Sequence, residues 1–147
     1  MIAVLQRVTS GVVTVEDQVI GKIDHGLVIL LGVMEDDDER ASQYLVDKLS
    51  VLRIFNDEHQ KMNQSILDVN GSALVVSQFT LCADTRKGRR PSFIRAASPE
   101  KGKALYETFM AQLQSKGIPV ESGKFGAMMK VSIENDGPVT IILDSHP

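Results

Sequence analysis

The chain has 147 residues, of which 43% are hydrophobic and 24% are charged, a composition typical of one globular domain. Its net charge of −3 excludes a general attraction to nucleic acid, so any RNA contact needs a local basic patch, and we expect no DNA partner. The single cysteine, Cys82, excludes an internal disulfide, and we find no signal peptide and no apolar run long enough to span a membrane. We therefore expect a cytoplasmic protein.

The first third of the chain is rich in β-branched residues and predicts strands. Residues 2–15 predict two strand segments, or one long bent strand with a bulge at Ser10-Gly11. Short strands are predicted at 18–23 and 26–33. The second of these is apolar throughout, which is typical of a central strand buried on both faces.

An acidic run, EDDDER at residues 35–40, precedes a helical pattern. Carboxylates in such a run either bind a cation or cap the start of a helix, where they favour the positive end of the helix dipole. The sequence favours the helix start, because a buried stripe at helical spacing follows directly. That stripe comprises Ala41, Leu45, Leu49 and Leu52.

Residues 73–81 predict another strand, ALVVSQFTL. Alternation along a strand would place Gln78 and Thr80 on one face and Phe79 and Leu81 on the other. The polar pair is either a ligand-binding pair or a surface-facing pair on a half-exposed strand. From the pattern alone, the second interpretation is favoured.

The segment after this strand is irregular and basic. Four cations fall within five positions of the stretch DTRKGRRPS, namely Arg86, Lys87, Arg89 and Arg90. In an acidic protein such a cluster is a candidate phosphate-binding loop, and a solvated flexible loop is the alternative. The loop alone does not decide between the two.

A second helix and a strand-rich tail complete the chain. Ser98 is suited to cap the helix, Pro99 to occupy its first turn, and Gly117 to end it. Its buried stripe is Leu105, Phe109 and Leu113. Together these patterns predict an α+β fold, a mostly antiparallel sheet or open barrel with two helices packed on it, in a single domain spanning 1–147.

The sequence offers no recognisable catalytic constellation. The three histidines are scattered, so we expect no metal, and no cofactor motif is present. Thr80 as a nucleophile lacks a neighbouring base. One further oddity is the Gly137-Pro138 dipeptide in an otherwise strand-like tail, because proline cannot donate a ladder hydrogen bond.

Two short motifs carry a resemblance to a known family. Ser77-Gln78-x-x-Leu81 and Asn135-x-Gly137-Pro138-x-Thr140 are both complete, and the chain resembles the D-aminoacyl-tRNA deacylases over residues 1–145. The N-terminal MIAVLQRVTSGVVTV and the basic TRKGRRPSF are similar to that family as well.

The resemblance implies an esterase that removes D-amino acids from tRNA. It implies a homodimer with the active site at the interface, where one subunit's Gly137-Pro138, joined by a cis bond and braced by Arg7, enters the other subunit's pocket. That dipeptide would reject L side chains by steric exclusion, and such a filter cannot reject glycine, so glycyl-tRNA should also be cleaved.

The resemblance also implies where the chemistry takes place. Ser77 would bind the substrate, and the catalytic residues would be Gln78, Phe79 and Thr80. We expect backbone N–H groups around Phe79 and Thr80 to stabilise the oxyanion. The 2′-hydroxyl of the RNA would activate the water, and the loop from Arg86 to Arg90 would meet tRNA phosphates. The alternatives are a Thr80-nucleophile esterase, a non-catalytic dimeric RNA-binding module, or a dimeric small-molecule binder.

Overall fold

A computed structural model describes residues 1–146. One sheet contains most of the strands, with β2-β1-β3-β6-β7 in order and β8 paired to the outer side of β1. A two-stranded sheet, β4-β5, stands apart from it. The strands are β1 Ile2–Val15, β2 Gln18–Ile23, β3 Gly26–Gly32, β4 Phe55–Asn56, β5 Met62–Gln64, β6 Ser72–Ser77, β7 Val120–Ser122 and β8 Lys130–Asp144.

The sheet is mixed, with more parallel pairing than the sequence predicted. β1 pairs antiparallel with β2, β3 and β8, whereas β3–β6 and β6–β7 are parallel. The sheet curls until β2 approaches β7, so closely that a Cβ on Gly21 would collide with the Ser122 carbonyl oxygen. The predicted α+β class with an open barrel and two helices is confirmed.

Both helices begin where the sequence predicts, and the second also ends there. Helix α1 spans Glu39–Ser50, and the Asp38 carboxylate caps it by accepting from the N–H groups of Arg40 and Ala41. The acidic run is thus a helix start. The predicted stripe holds for three residues, but Leu52 lies beyond the end of the helix.

Helix α2 spans Pro99–Ser115 and has the predicted buried stripe. The Ser98 hydroxyl accepts from the Lys101 N–H, and Gly117 follows the helix with a φ of 85°, a left-handed conformation that suits glycine. Both helices pack on one face of the sheet and form the main core with it, around Phe55, Phe109, Leu45 and Leu27.

A second, smaller core fills the inside of the curled sheet. It comprises Val8, Val13, Ile23, Val28, Leu74 and Val76. The two cores fix β1, β3 and β6, and these strands carry the segments that form the candidate site. Among residues 1–146 no helix is long and apolar enough to cross a bilayer.

Candidate active site

The strand predicted at 73–81 ends early, and its last residues turn into a helix. β6 stops at Ser77, and Phe79–Cys82 form a short 3₁₀ helix. The assignment of Gln78 and Thr80 to one strand face was therefore wrong. The physical reason is Gly32, at the end of the neighbouring strand: a Cβ there would stand 3.0 Å from Leu81 Cβ and 3.2 Å from the Gln78 carbonyl oxygen.

This turn leaves two backbone donors free. The Gln78 N–H bonds the Leu31 carbonyl oxygen at 2.8 Å, and the Leu81 N–H bonds the Gln78 carbonyl oxygen at 3.1 Å. Within residues 1–146 the N–H groups of Phe79 and Thr80, which lie between them, have no acceptor. Adjacent free donors at a helix start are suited to bind an anionic oxygen.

The polar side chains of the turn bond to each other. Gln78 Nε2 donates to Thr80 Oγ1 at 2.6 Å, and the Thr80 side chain is exposed. No hydrogen bond joins the Thr80 hydroxyl to a histidine, carboxylate or amine anywhere in the described chain. The hydroxyl therefore lacks the base that would activate it as a nucleophile.

A cleft of about 640 Å³ opens beside this turn. Its walls come from the ends of β3 and β6, the start of α2 and the segment before β8. Phe79 and Phe93 meet edge to face across it, with ring centroids 5.1 Å apart. The residues lining it include Ser77, Gln78, Phe79, Phe93, Ser98, Phe125, Met128 and Val131, and none of its described lining residues has a titratable side chain.

The basic loop has a fixed base and a charged tip. Asp84 and Ser92 exchange two backbone hydrogen bonds of 2.8 and 2.9 Å, which close the loop. Arg86 folds back onto Asp84, Nη2 to Oδ2 being 2.6 Å, and this bond lowers the pKa of that carboxyl far below its ordinary value. Among residues 1–146, the cations of this loop that form no ion pair are Lys87, Arg89 and Arg90.

The Gly137-Pro138 dipeptide lies on a bulge in β8. Gln6 pairs with Thr140 and Val8 with Asn135, so the four residues 136–139 stand opposite Arg7 alone. Proline is therefore displaced from the ladder, which explains how it is tolerated inside a strand. The peptide bond between Gly137 and Pro138 is cis, as the resemblance implies, and both residues are exposed.

Hydrogen bonds from the side chains of Asn135 and Arg7 hold the bulge in place. Asn135 Oδ1 accepts from the Val139 N–H, and Asn135 Nδ2 donates to Thr140 Oγ1, both at 3.0 Å. Arg7, only 5% exposed, donates from Nε to the Asp136 carbonyl oxygen at 3.1 Å and lies 3.3 Å from its carboxylate. Arg7 also donates from Nη1 to the Ile54 carbonyl oxygen at 2.8 Å.

Apart from the basic loop, the chain thus holds the predicted site residues in two places. Ser77, Gln78 and Phe79 line the cleft, with Thr80 next to them. Gly137, Pro138 and Arg7 do not line it.

Three features were missed from the sequence. Phe93 belongs to the cleft, and Ile54 with Asn56 holds Arg7. Asp36, Asp37 and His146 bring their ligand atoms within 4.8 Å of one another. None of these follows from local spacing, because each joins segments that are distant in sequence.

Comparison with known proteins identifies a family model and close relatives that this chain matches. Residues 4–144 match the family model described as D-Tyr-tRNA(Tyr) deacylase. The chain is 58% identical over 142 residues to a D-aminoacyl-tRNA deacylase of Bacillus pumilus, covering 97% of both chains. It is 59% identical over 145 residues to one of a Sulfurihydrogenibium species, covering 99% of this chain and 98% of the relative.

Two solved structures are also similar. One is described as a c-Myc DNA unwinding element binding protein, with a TM-score of 0.93, 41% identity and 98% coverage of both chains. The other is described as a probable eukaryotic D-amino acid tRNA deacylase, with a TM-score of 0.84 over 97% of this chain. At 22% identity, the second supports the fold alone.

Proposed function

The chain belongs to the D-Tyr-tRNA(Tyr) deacylase family, whose members are hydrolases of aminoacyl-tRNA, and on this premise we propose that it hydrolyses D-aminoacyl-tRNA. The products are a free D-amino acid and a tRNA ready for recharging, which is chiral proofreading in translation. The observation that carries the proposal is the pair of free N–H groups at Phe79 and Thr80, beside a cleft without titratable groups.

The two N–H groups act as the oxyanion hole. Water adds to the ester carbonyl carbon, and the carbonyl oxygen becomes an oxyanion that accepts from Phe79 and Thr80. Collapse of this intermediate breaks the bond to the terminal ribose oxygen, which leaves with a proton. Donors fixed in the backbone need no rearrangement as charge develops, and one such donor is worth about 3–4 kcal/mol.

The general base comes from the substrate. The cleft's described lining provides no histidine, carboxylate or amine, so the vicinal 2′-hydroxyl of the terminal adenosine accepts the proton from water as it passes its own proton to the departing ribose oxygen. Gln78 and Ser77 bind polar groups of the substrate near the reacting ester. Thr80 holds the Gln78 amide through its hydroxyl and forms no acyl intermediate.

Stereochemical selection requires a second copy of the chain. Gly137 and Pro138 are exposed and lie outside the cleft of their own chain, so a partner's dipeptide enters it. β8 suits a homodimer interface, because it is an edge strand with Ile142 69% exposed. The active site is then shared between two protomers.

The dipeptide selects by exclusion. Gly137 has no Cβ, so its main chain approaches the substrate Cα closely. An L side chain would collide with that main chain, whereas a D side chain points into open space. Glycine has no side chain to exclude, so glycyl-tRNA is a substrate as well.

The tRNA body is bound electrostatically. Lys87, Arg89 and Arg90 contact phosphates of the acceptor stem, with Arg86 contributing less because it is paired with Asp84. These contacts are neutral to sequence, so several tRNAs are accepted. The reaction takes place in the cytoplasm, where tRNA is charged and used.

The test compares D-tyrosyl-, glycyl- and L-tyrosyl-tRNA with purified protein. We expect hydrolysis of the first two at enzyme concentrations that leave the L ester intact. A glycyl ester that survives as long as the L ester would exclude selection by steric exclusion. Failure to cleave the D ester would instead favour a non-catalytic RNA-binding module.

A second comparison addresses the base. A D-tyrosyl ester on tRNA ending in 2′-deoxyadenosine should bind with unchanged affinity and resist cleavage. Rapid cleavage of this ester would assign the base to the protein instead.

A further inference from the structure

We propose that Asn56 is a positioning residue for the stereochemical filter, acting through Arg7. The inference rests on the proposed function, because it concerns the same Gly137-Pro138 bulge. Asn56 is on β4, outside the main sheet, and has no contact with the cleft. Its role follows from how the Arg7 guanidinium is held.

Arg7 is held on two sides. On one side, Nη1 donates to the Ile54 carbonyl oxygen at 2.8 Å and to Asn56 Oδ1 at 3.3 Å. On the other side, Nε donates to the Asp136 carbonyl oxygen at 3.1 Å. The guanidinium is a rigid plane, so a bond that fixes Nη1 also fixes the direction of Nε.

The Asn56 side chain is exposed, but its main chain directly follows two core residues. Ile54 and Phe55 are 6% and 1% exposed and belong to the main core, and Asn56 follows them directly. Asn56 Nδ2 donates to Gln60 Oε1 at 3.4 Å, which leaves Oδ1 facing Arg7. A buried guanidinium loses water as a partner, so each oxygen bound to it carries more weight.

The remaining nitrogen of Arg7 lies directly against Gly137. A Cβ added to Gly137 would stand 2.9 Å from Arg7 Nη2, so glycine and guanidinium are already in close contact. If the bond to Asn56 is lost, Nη1 keeps only the Ile54 carbonyl oxygen as an acceptor, and the guanidinium can tilt about that single bond. Gly137 then loses its support, and the main chain that excludes L side chains recedes.

The experiment measures D- and L-tyrosyl-tRNA hydrolysis by Asn56→Ala. We expect the ratio of D to L rates to fall about tenfold, equivalent to losing one hydrogen bond to a charged group, through faster L hydrolysis. Asn56→Asp keeps an oxygen at the same place and should restore the ratio. Asn63→Ala is the matched control, because Asn63 lies on β5, bonds Asp57 and does not contact Arg7.

Each outcome of this experiment supports or overturns the proposed role of Asn56. A D to L ratio for Asn56→Ala within twofold of the unaltered protein overturns it, provided that the unaltered protein itself discriminates. A fall of the same size in Asn63→Ala also overturns it, since that would be a general effect on the β4-β5 sheet. Should Asn56→Ala not fold, Asn56→Ser, whose hydroxyl is too short to reach Arg7, provides the same test. Absence of D-tyrosyl-tRNA hydrolysis by the unaltered protein would contradict the proposed function instead.

Discussion

The turn after β6 and the bulge of β8 are built in opposite ways. At the turn, the backbone donors of Phe79 and Thr80 have no partner in the described chain. At the bulge, Asn135 ties the main chain across its base while a buried arginine holds it from beneath. Free donors suit a charge that appears only in the transition state, and a clamped main chain suits a rigid stereochemical barrier.

The largest expected effect comes from deleting one donor of the turn. Phe79→Pro removes the N–H, and proline is tolerated at the first position of a helix. Phe79→Ala removes the same side chain but keeps the N–H. We expect the proline variant to have a kcat about 100- to 1000-fold below that of the alanine variant, measured by release of D-amino acid.

Equal kcat values for these two variants would show that the N–H of residue 79 does not stabilise the oxyanion. Circular dichroism on both variants checks that the proline has left the fold intact.

The next largest effect comes from the bulge. Gly137 has a φ of 127°, which side-chain-bearing residues rarely adopt, and an added Cβ would clash with Arg7. Gly137→Ala should therefore shift the bulge and lower the ratio of D- to L-tyrosyl-tRNA hydrolysis by about tenfold to a hundredfold. Gly117→Ala, at a φ of 85° with open space around it and outside the cleft, is the matched control for backbone strain alone.

Thr80→Ala distinguishes the contribution of the Thr80 backbone N–H to catalysis from that of the Thr80 hydroxyl. The substitution removes one hydrogen bond to Gln78 and keeps the Thr80 N–H, so kcat should fall by at most about tenfold. Loss of all turnover in a folded Thr80→Ala protein would support a covalent threonine nucleophile.

The smallest effect is expected in the basic loop. Arg90→Ala should weaken tRNA binding and lower the slope of log affinity against log salt by about one, because one phosphate contact is lost. Arg86→Ala should change the slope less, since Arg86 is already paired with Asp84. Equal slopes for Arg90→Ala and the unaltered protein would remove the loop from the tRNA interface.

The difference between local contacts and contacts between distant segments explains what the sequence could predict. Helix α2 was predicted from Ser98, Pro99 and Gly117, because capping is a local property. The turn at Phe79 was mistaken for strand, since it depends on Gly32, which lies far away in sequence and leaves room for Leu81. The parallel pairing of β3 with β6 is likewise a property of the whole chain, which alternation does not encode.

At the site, residue types were easier to predict than their arrangement. The motifs named Ser77, Gln78, Gly137 and Pro138, but nothing in the local pattern indicated a bulge opposite Arg7. Asn56 escaped notice because its contact with Arg7 joins strands 49 positions apart.

The most direct test of a shared site is complementation between two variants with different defects. Phe79→Pro disables the turn and should abolish hydrolysis, whereas Gly137→Val disables the filter and should leave a homodimer that cleaves D- and L-tyrosyl-tRNA alike. A heterodimer of the two has one site in which both halves are unaltered, so it should cleave D-tyrosyl-tRNA at about half the rate of the unaltered protein and spare the L ester. A heterodimer that cleaves the L ester as the Gly137→Val homodimer does would contradict the account, because each chain would then complete its own site.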